Sequence, residues 1–317
     1  MNKIDISVYI ITYCHEKYIE EAIKSVLNQK THYNYEIIIS DDASTDRTVD
    51  IIENYIKKYP DIIRLNKNTN NVGIPNNIYQ ARKMCRGRYI VQLDGDDFWI
   101  DSNKLETQGR FLDANVQYLA VGNAMELKDE KNQISLGVLP NEKERGREFT
   151  LADYEKGKSL INHGLMMRNV FLLREGDLFF SKAKDISSII DDAVDCVLLL
   201  LWGRVFVLNE VFDGYRVLNN SNNSSNYNNI YGRYDKTKNI IDTYNALDYY
   251  FGDKINFRKK YIDVVSQLII NGLLEHDLKK YDELYYSIPK KYRKGIQSIL
   301  LPSIILCFYK GIKRLLV

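Results

Sequence analysis

Apolar segments that alternate between strand and helix character fill the first 93 residues, and this alternation limits the possible folds more than any other feature. Short apolar runs typical of buried strands occupy residues 6–12, 35–40, 62–65 and 89–93. The apolar spacing of helices occurs at residues 18–28, 44–58 and 76–87. Ser44 or Thr45 is the expected N-cap of the second helix, and Asn76 or Asn77 that of the third. Strands joined through helices pair in parallel, so we expect an α/β fold with a mixed, mostly parallel sheet and flanking helices.

Polar side chains follow three of the predicted strands at the point where each strand ends. They are Thr12 and Tyr13 after the first strand, Asp41 and Asp42 after the second, and the segment 94–97 after the fourth. In parallel sheets of this class, ligands bind beyond the carboxyl ends of the strands. We therefore expect the three clusters to meet at one edge of the sheet and to form the functional site.

The segment after the fourth strand carries three carboxylates within four residues, Asp94, Asp96 and Asp97. Carboxylates this close repel one another unless a cation neutralises them. Hard divalent ions such as Mg²⁺ and Mn²⁺ prefer oxygen ligands of this kind and bind phosphate groups as well. The cluster therefore indicates a divalent metal and phosphate chemistry, and a solvated turn at the strand end is the alternative.

Charge and cysteine content exclude several classes of protein. The formal net charge of +2 gives no broad basic surface for nucleic acid, and 45% hydrophobic residues suffice for a globular core. The four cysteines are scattered without a CxxC pair, which argues against a disulfide framework and a structural zinc site. Charge occurs too early in residues 1–6 for a signal peptide, so we expect a cytoplasmic protein.

The regular alternation ends near residue 118, and composition indicates a domain boundary about a hundred residues later. Further elements are predicted as strands at residues 118–125 and 205–208 and a buried helix at residues 194–202. The segment 218–230 is rich in Asn and Ser and has little to bury. The expected organisation is a catalytic domain at residues 1–217, a linker at 218–230 and a helical region at 231–317.

The C-terminal tail is strongly basic. From Ser287 onward it carries seven Lys and Arg residues and no acid, around an apolar run at residues 299–309. That run is too short to span a bilayer, which needs about 20 apolar residues. Either the tail lies at the inner face of the cytoplasmic membrane as a peripheral contact, or it packs on the protein with a solvated basic face.

The order and spacing of these segments resemble glycosyltransferase family 2, whose members have the nucleotide-diphospho-sugar transferase (GT-A) fold. The similarity covers about residues 6–217. It is carried by SVYIITY (7–13), YIEEAIKSVLNQ (18–29), ISDDASTD (39–46), NVG (71–73), GRYI (87–90), and LDGDDFW (93–99) followed by KL (104–105). A DxD pattern alone is weak, but these segments in this order are highly specific.

The resemblance implies an inverting, metal-dependent enzyme of Rossmann-like architecture whose donor is a nucleotide-diphospho-sugar, expected to be a UDP-sugar. Asp42 matches the aspartate that accepts a hydrogen bond from N3–H of uracil or thymine. Tyr13, next to Thr12, matches the residue that stacks on that ring. The alternative role for Asp41, Asp42 and Ser44 is capping of the following helix, and Asp41 is expected to be structural.

Asp94 and Asp96 match the family's DxD pattern, and Asp97 matches a third acid that some relatives place directly on the metal. The resemblance implies that one carboxylate binds Mn²⁺ or Mg²⁺ and that another binds the ribose. The metal in such enzymes bridges the diphosphate oxygens and stabilises the charge that grows on the leaving group. Which of the three acids is the direct ligand stays open.

The catalytic base of an inverting transfer takes the proton of the acceptor hydroxyl as that group attacks the anomeric carbon. The family carries it at an acid pair before a helix, which matches Asp191 and Asp192. We assign the base to Asp192, with Asp191 as the second candidate and helix capping as the alternative role. His163 matches an acceptor-side histidine of many relatives, whereas the histidine that often follows a Tyr-Arg-Val segment is replaced by Leu218.

Two functions of different classes follow. The first is an enzyme that transfers sugar to a glycan or lipid-linked saccharide in bacterial cell-surface polysaccharide synthesis, such as that of a capsule or lipopolysaccharide. The second is a pseudo-transferase that binds nucleotide-sugar or glycan without turnover, which Leu218 favours and the intact acids oppose. A nucleotidyltransferase would need a Gly-rich, basic loop after the first strand, and residues 10–15 have none.

Overall fold

The computed structural model describes residues 3–160, 164–187, 192–218, 232–277 and 279–293. The chain divides into two compact units. The first contains the described residues of 1–150 and 159–226, and the second contains those of 151–158 and 227–317. Residues 219–230 of the predicted linker and the tail beyond residue 293 lie outside the described residues.

The first unit is built on one mixed, mostly parallel sheet, which confirms the predicted fold class. Its strands are β1 (Ile6–Thr12), β2 (Tyr35–Asp41), β3 (Ile63–Lys67), β4 (Tyr89–Asp94), β5 (Phe98–Trp99), β6 (Tyr118–Asp129), β7 (Ile134–Leu139), β8 (Arg147–Phe149), β9 (Met166–Arg168) and β10 (Arg204–Val217). The strand order is β3-β2-β1-β4-β9-β6-β10-β5, with β7 beside β6 and β8 beside β10. The neighbours β3, β2, β1 and β4 are parallel, as are β6 and β10, while β9 is antiparallel to both β4 and β6.

Helices follow the predicted alternation in the first unit and make up most of the described part of the second. Those of the first unit are α1 (Ile19–Leu27), α2 (Thr48–Lys58), α3 (Ile74–Met84), α4 (Lys104–Ala114), α6 (Arg174–Phe180), α7 (Ala183–Ile186) and α8 (Asp192–Trp202). Those of the second are α5 (Leu151–Glu155), α9 (Arg233–Phe251), α10 (Arg258–Leu274), α11 (Asp282–Ser287) and α12 (Lys290–Arg293). The predicted C-terminal helices are therefore confirmed for the described residues.

The core of the first unit joins the central strands to the helices beside them. Ile23 of α1, Ile52 of α2 and Leu112 of α4 pack in one fully buried cluster with strand residues such as Val8 and Ile37. Close packing of this kind resists displacement of one strand against the next. It therefore fixes the carboxyl ends of β1 and β2, where two of the polar clusters lie.

The expected N-cap of α3 is wrong, because Asn76 and Asn77 lie inside the helix. α3 begins at Ile74, directly after Gly73, whose φ is 83°. The buried Asn77 side chain donates to the Ser40 carbonyl at 3.0 Å and accepts a hydrogen bond from the Ser40 hydroxyl at 2.6 Å. A partner 37 residues away cannot be seen in the local pattern from which a cap is predicted.

β10 is much longer than the strand predicted at residues 205–208. It continues to Val217, and its pairing with β6 shifts register between Val207 and Val211. The polar Asn209 and Glu210 fall in that irregularity, which is why the apolar pattern stops before the strand does. The extension brings the end of β10 next to β5.

Candidate active site

The carboxyl ends of β1, β2 and β4 meet at one edge of the sheet, as predicted. Thr12 is in register with Asp41 of β2, and Ile11 with Asp94 of β4. Just beyond the strands, the amide of Asp42 donates to the Thr12 carbonyl at 2.9 Å. The three polar clusters seen in the sequence therefore lie side by side.

The loops after β1 and β2 are joined through Asp41 and Ser44. The Asp41 carboxylate accepts hydrogen bonds from the Ser44 amide at 2.9 Å and from the Ser44 hydroxyl. The Ser44 hydroxyl oxygen accepts one from the amide of Cys14 at 2.8 Å, and Cys14 has a φ of 56°. Because α2 begins only at Thr48, the cap predicted at Ser44 or Thr45 is wrong. Both residues lie in the loop ahead of the helix.

Asp42 holds the loop in front of α3. Its carboxylate is buried and accepts hydrogen bonds from the amides of Val72 at 2.7 Å and Gly73 at 3.0 Å, and from the Asn68 side chain at 3.2 Å. These partners lie before α3, so Asp42 is not a cap of α2. A carboxylate offers about four acceptor positions. Asp42 can therefore accept one further donor from a ligand, and the half-buried Tyr13 lies one residue beyond β1.

The three carboxylates after β4 differ in their contacts and exposure. Asp94 Oδ1 accepts a hydrogen bond from the Gln92 side chain at 2.9 Å. The buried Asp97 accepts one from the amide of Arg216 at 2.8 Å. The Asp96 side chain is 24% exposed, and Asp94 is also only partly buried.

Asp96 faces the loop after β1. Its Oδ2 lies 3.8 Å from Nε2 of His15, and His15 Nδ1 is buried without a hydrogen-bond partner among the described residues. Gly95 permits this approach, because a Cβ there would lie 2.8 Å from His15 Nδ1 and 2.9 Å from Thr12 Cβ. Sequence reasoning did not single out His15, although it stands in the segment that follows the first strand.

The residues fit a metal ion that arrives with a substrate, and they do not fit a preformed cage. Within the described parts of the chain, no group of three or more His, Cys, Asp or Glu side chains is arranged to hold a metal. Asp94 and Asp96 are both partly exposed, so either carboxylate is accessible to such an ion. Mg²⁺ commonly takes one or two carboxylates and completes its shell with substrate phosphates and water.

Arg216 of β10 fixes the backbone of residues 94–97, called the acidic turn below. Its buried guanidinium donates to the Asp96 carbonyl at 2.5 Å and to the Glu21 carboxylate, and its Nε lies 3.2 Å from Glu130. The guanidinium carbon lies 4.5 Å from the centre of the Phe98 ring. The partner in the acidic turn is 120 residues away in sequence, so no local pattern could have shown this role.

A buried ion pair supports a pocket beside the acidic turn. Lys104 Nζ lies 2.9 Å from Asp213 Oδ1 and donates to Asn123 and to the Gly164 carbonyl, each at 2.8 Å. Burial lowers the pKa of Lys104, and Asp213 opposes that change. The pocket has about 240 Å³ of empty space, including its open mouth. Its polar lining comes from Gln92, Asp94, Asp97, Asp213 and Tyr215.

Asp192 is the exposed first residue of α8 and lies within electrostatic range of the same region. Burial raises the pKa of Tyr215, and carboxylates that oppose a phenolate charge raise it further. These are, in decreasing order, Asp97, Asp96, Asp94 and Asp192. Of the other predicted residues, Asp191 and His163 lie outside the described residues, and Leu218 is buried.

Known proteins resemble the N-terminal part of the chain in sequence. The model of the family described as glycosyl transferase family 2 matches residues 7–173, more than half of the chain. A poly(ribitol-phosphate) beta-glucosyltransferase of Bacillus spizizenii is 38% identical over 96 residues, which are 29% of this chain and 15% of that protein. The chain spans about half or less of the length of the curated relatives it matches.

Two solved structures have a similar fold. Residues 1–349 of S. aureus TarS in complex with UDP-GlcNAc align with a TM-score of 0.59 at 16% identity, covering 95% of this chain and 79% of that one. The mannosyltransferase PcManGT from Pyrobaculum calidifontis, in complex with GDP-Man and Mn²⁺, aligns with a TM-score of 0.54 at 17% identity, covering 98% and 88%. At these identities the similarity shows the fold alone, and it agrees with the predicted GT-A architecture.

Proposed function

The chain belongs to glycosyl transferase family 2, and we propose that it transfers a sugar, with inversion, from a nucleotide-diphosphate donor to a hydroxyl group of a glycan or lipid-linked saccharide. The observation that carries this proposal is the register of β1, β2 and β4, which brings Asp42 and the acidic turn to one edge of the sheet. The charge of Asp192 raises the pKa of Tyr215, as the acids of that turn do. The intact acids favour an enzyme over a protein that binds nucleotide-sugar without turnover.

The donor in this proposal is a UDP-sugar held at the ends of β1 and β2. Asp42 has acceptor capacity left for the N3–H of uracil, and the Tyr13 ring is available to stack on the base. The Thr12 hydroxyl is buried without a hydrogen-bond partner among the described residues, so a ligand group can supply one. The UDP-GlcNAc in the TarS structure is consistent with this donor class.

The diphosphate would lie at the end of β4. Mn²⁺ or Mg²⁺, when bound there, neutralises diphosphate charge and makes it a better leaving group. Asp96 would hold the ion, and Asp94 would contact the ribose or the ion. Asp97 keeps the turn in shape through the amide of Arg216, with direct metal contact as its alternative role.

Asp192 would be the catalytic base. It would accept the proton of the acceptor hydroxyl as that oxygen bonds to the anomeric carbon and the bond to the diphosphate breaks on the opposite face. Asp192 lies at the N-terminus of α8, where the helix dipole stabilises a negative charge. Asp191 is the second candidate for this role.

The acceptor and the tail extend the proposal to bacterial surface polysaccharide synthesis. The B. spizizenii relative is named for glucosyl transfer to poly(ribitol-phosphate). In this proposal residues 1–217 form the catalytic domain, residues 218–230 are a linker, and the helical region follows.

In the described residues, no helix has the length and apolar character needed to cross a bilayer. Peripheral binding through the basic tail is tested by flotation with anionic liposomes, and binding unchanged on deletion of residues 298–317 contradicts it.

A donor screen tests the central proposal. Purified protein is incubated with UDP-glucose, UDP-galactose, UDP-N-acetylhexosamines, dTDP-rhamnose and GDP-mannose, with Mn²⁺ or with a chelator. We expect Mn²⁺-dependent release of nucleoside diphosphate from one donor class, and loss of that release in Asp96→Ala. Absence of both binding and release for every donor contradicts the proposal.

A further inference from the structure

A continuous chain of hydrogen bonds, buried except at its last link, crosses the first unit from α8 to the end of β4. Asp195 pairs with Arg82 of α3 at two points, one of them 3.0 Å between Nη1 and Oδ1. Arg82 Nε donates to the Tyr9 hydroxyl oxygen at 3.0 Å, and the Tyr9 hydroxyl donates to Gln92 Oε1 at 3.0 Å. The Gln92 amide group then donates to Asp94 at 2.9 Å.

The four linking side chains are removed from solvent. Tyr9 is 3% exposed, Asp195 5%, and Arg82 and Gln92 6% each. Buried polar groups of this kind are costly unless each has its partner, so a complete network permits little variation in geometry. Burial also raises the pKa of Tyr9, which keeps the proton that its hydroxyl donates to Gln92.

The two ends of this network are next to groups that the proposed reaction uses. Asp195 follows Asp192 by three residues on α8, nearly one helical turn, so anchoring Asp195 fixes the start of the helix. Asp94 is the last residue of β4. We propose that four residues of this network are positioning residues, namely Arg82, Asp195, Tyr9 and Gln92. They hold Asp192 at a fixed position relative to Asp94. This inference rests on the function proposed above.

Displacement at an anomeric carbon makes such positioning matter. The base must reach the acceptor hydroxyl on one side while the diphosphate departs on the other, and a misplacement of about 1 Å can lower the rate by about 100-fold. The donor itself would contact only the Asp94 end of the network. We therefore expect damage to the network to lower kcat more than it weakens nucleotide binding.

Tyr9→Phe breaks the chain at its centre by removing one oxygen. Tyr89→Phe is the matched control, because Tyr89 is also a buried tyrosine of the parallel sheet, and its hydroxyl donates to Asp113 at 2.6 Å, outside the network. For both variants we would measure kcat with the donor found in the screen, the Kd of UDP with Mn²⁺ by calorimetry, and Tm. Tyr9→Phe should lower kcat about fivefold or more, the equivalent of one hydrogen bond, with Kd within about twofold. Tyr89→Phe should leave both within about twofold.

A double substitution, Arg82→Met with Asp195→Leu, removes both charges together and so avoids a lone buried ion that would unfold the protein. Its kcat should fall about tenfold or more while UDP with Mn²⁺ still binds. Equal kcat values in Tyr9→Phe and Tyr89→Phe overturn the inference, as does a loss of kcat matched by an equal loss of UDP affinity. A wild-type protein that releases nucleotide from no donor overturns the proposed function instead, before any variant is compared.

Discussion

The acids that follow β2 and the acids that follow β4 look alike in sequence, but the structure uses them differently. Asp41 and Asp42 both accept hydrogen bonds from backbone amides and thereby shape the loops around the end of β2. After β4, Asp97 is bound in the same way, whereas the carboxylate of Asp96 is partly exposed. Acids with backbone partners build the site, and acids open to solvent are available to a ligand. The predictions below test this division.

The largest effect is expected at Asp192, the exposed acid that begins α8. Asp192→Asn removes the proposed base and should lower transfer by about 10²- to 10⁴-fold, while UDP with Mn²⁺ binds as in the wild type. Activity is measured with the donor from the screen, and binding by calorimetry. Asp185→Asn, at an exposed acid of the neighbouring α7, is the control and should leave both activity and UDP binding unchanged. Retained activity in Asp192→Asn would shift the assignment to Asp191.

The next effect is expected at Asp96, the open acid after β4. Asp96→Asn removes the carboxylate proposed to hold the metal and should lower donor cleavage by about 100-fold. Because the Arg216 guanidinium contacts its carbonyl rather than its carboxylate, the free energy of unfolding should change by less than about 0.5 kcal/mol. Asp61→Asn, at an exposed acid ahead of β3, is the control. A large loss of stability in Asp96→Asn would contradict the division between open and bound acids.

Asp42→Asn should give the opposite pattern. The NH₂ group of asparagine would replace one carboxylate oxygen that now accepts a hydrogen bond from the backbone amide of Val72 or Gly73. Two donors would then face each other, and at least one backbone amide would lose its acceptor. We expect the free energy of unfolding to fall by about 1–3 kcal/mol, together with weaker UDP binding. Urea unfolding and calorimetry measure the two effects, with Asp50→Asn of α2, an exposed acid, as control. Unchanged stability would mean that Asp42 does not shape the loop.

The smallest effect concerns a bound acid at the opposite end of β2, Glu36. Burial raises the pKa of Glu36, but hydrogen bonds from Arg86 and Ser7 outweigh it and leave the pKa below its ordinary value of 4.5. A lowered carboxyl pKa stabilises the fold above the unfolded pKa, and that contribution is lost as pH falls through the folded pKa. The stability difference between wild type and Glu36→Gln should therefore be constant near neutral pH and shrink below about pH 4.5. A constant difference down to pH 3 would contradict this.

The local pattern of apolar and polar residues predicted much of the site. What it missed depends on contacts between side chains that are far apart in sequence. The first four strands were found within about two residues of their ends, since apolar runs reflect burial directly. The ends of β1, β2 and β4 then fixed the edge at which the acids meet. The caps were wrong where a side chain had a distant partner, as Asn77 has in Ser40. Arg82 and Asp195, 113 residues apart, form a pair that no spacing rule could have found.

A crystal structure with UDP and Mn²⁺ tests the central claim most directly. The account predicts the uracil between Tyr13 and Asp42, the diphosphate beyond β4, and Mn²⁺ bonded to Asp96 and to phosphate oxygens. UDP bound elsewhere, or a metal held without Asp96, would contradict it.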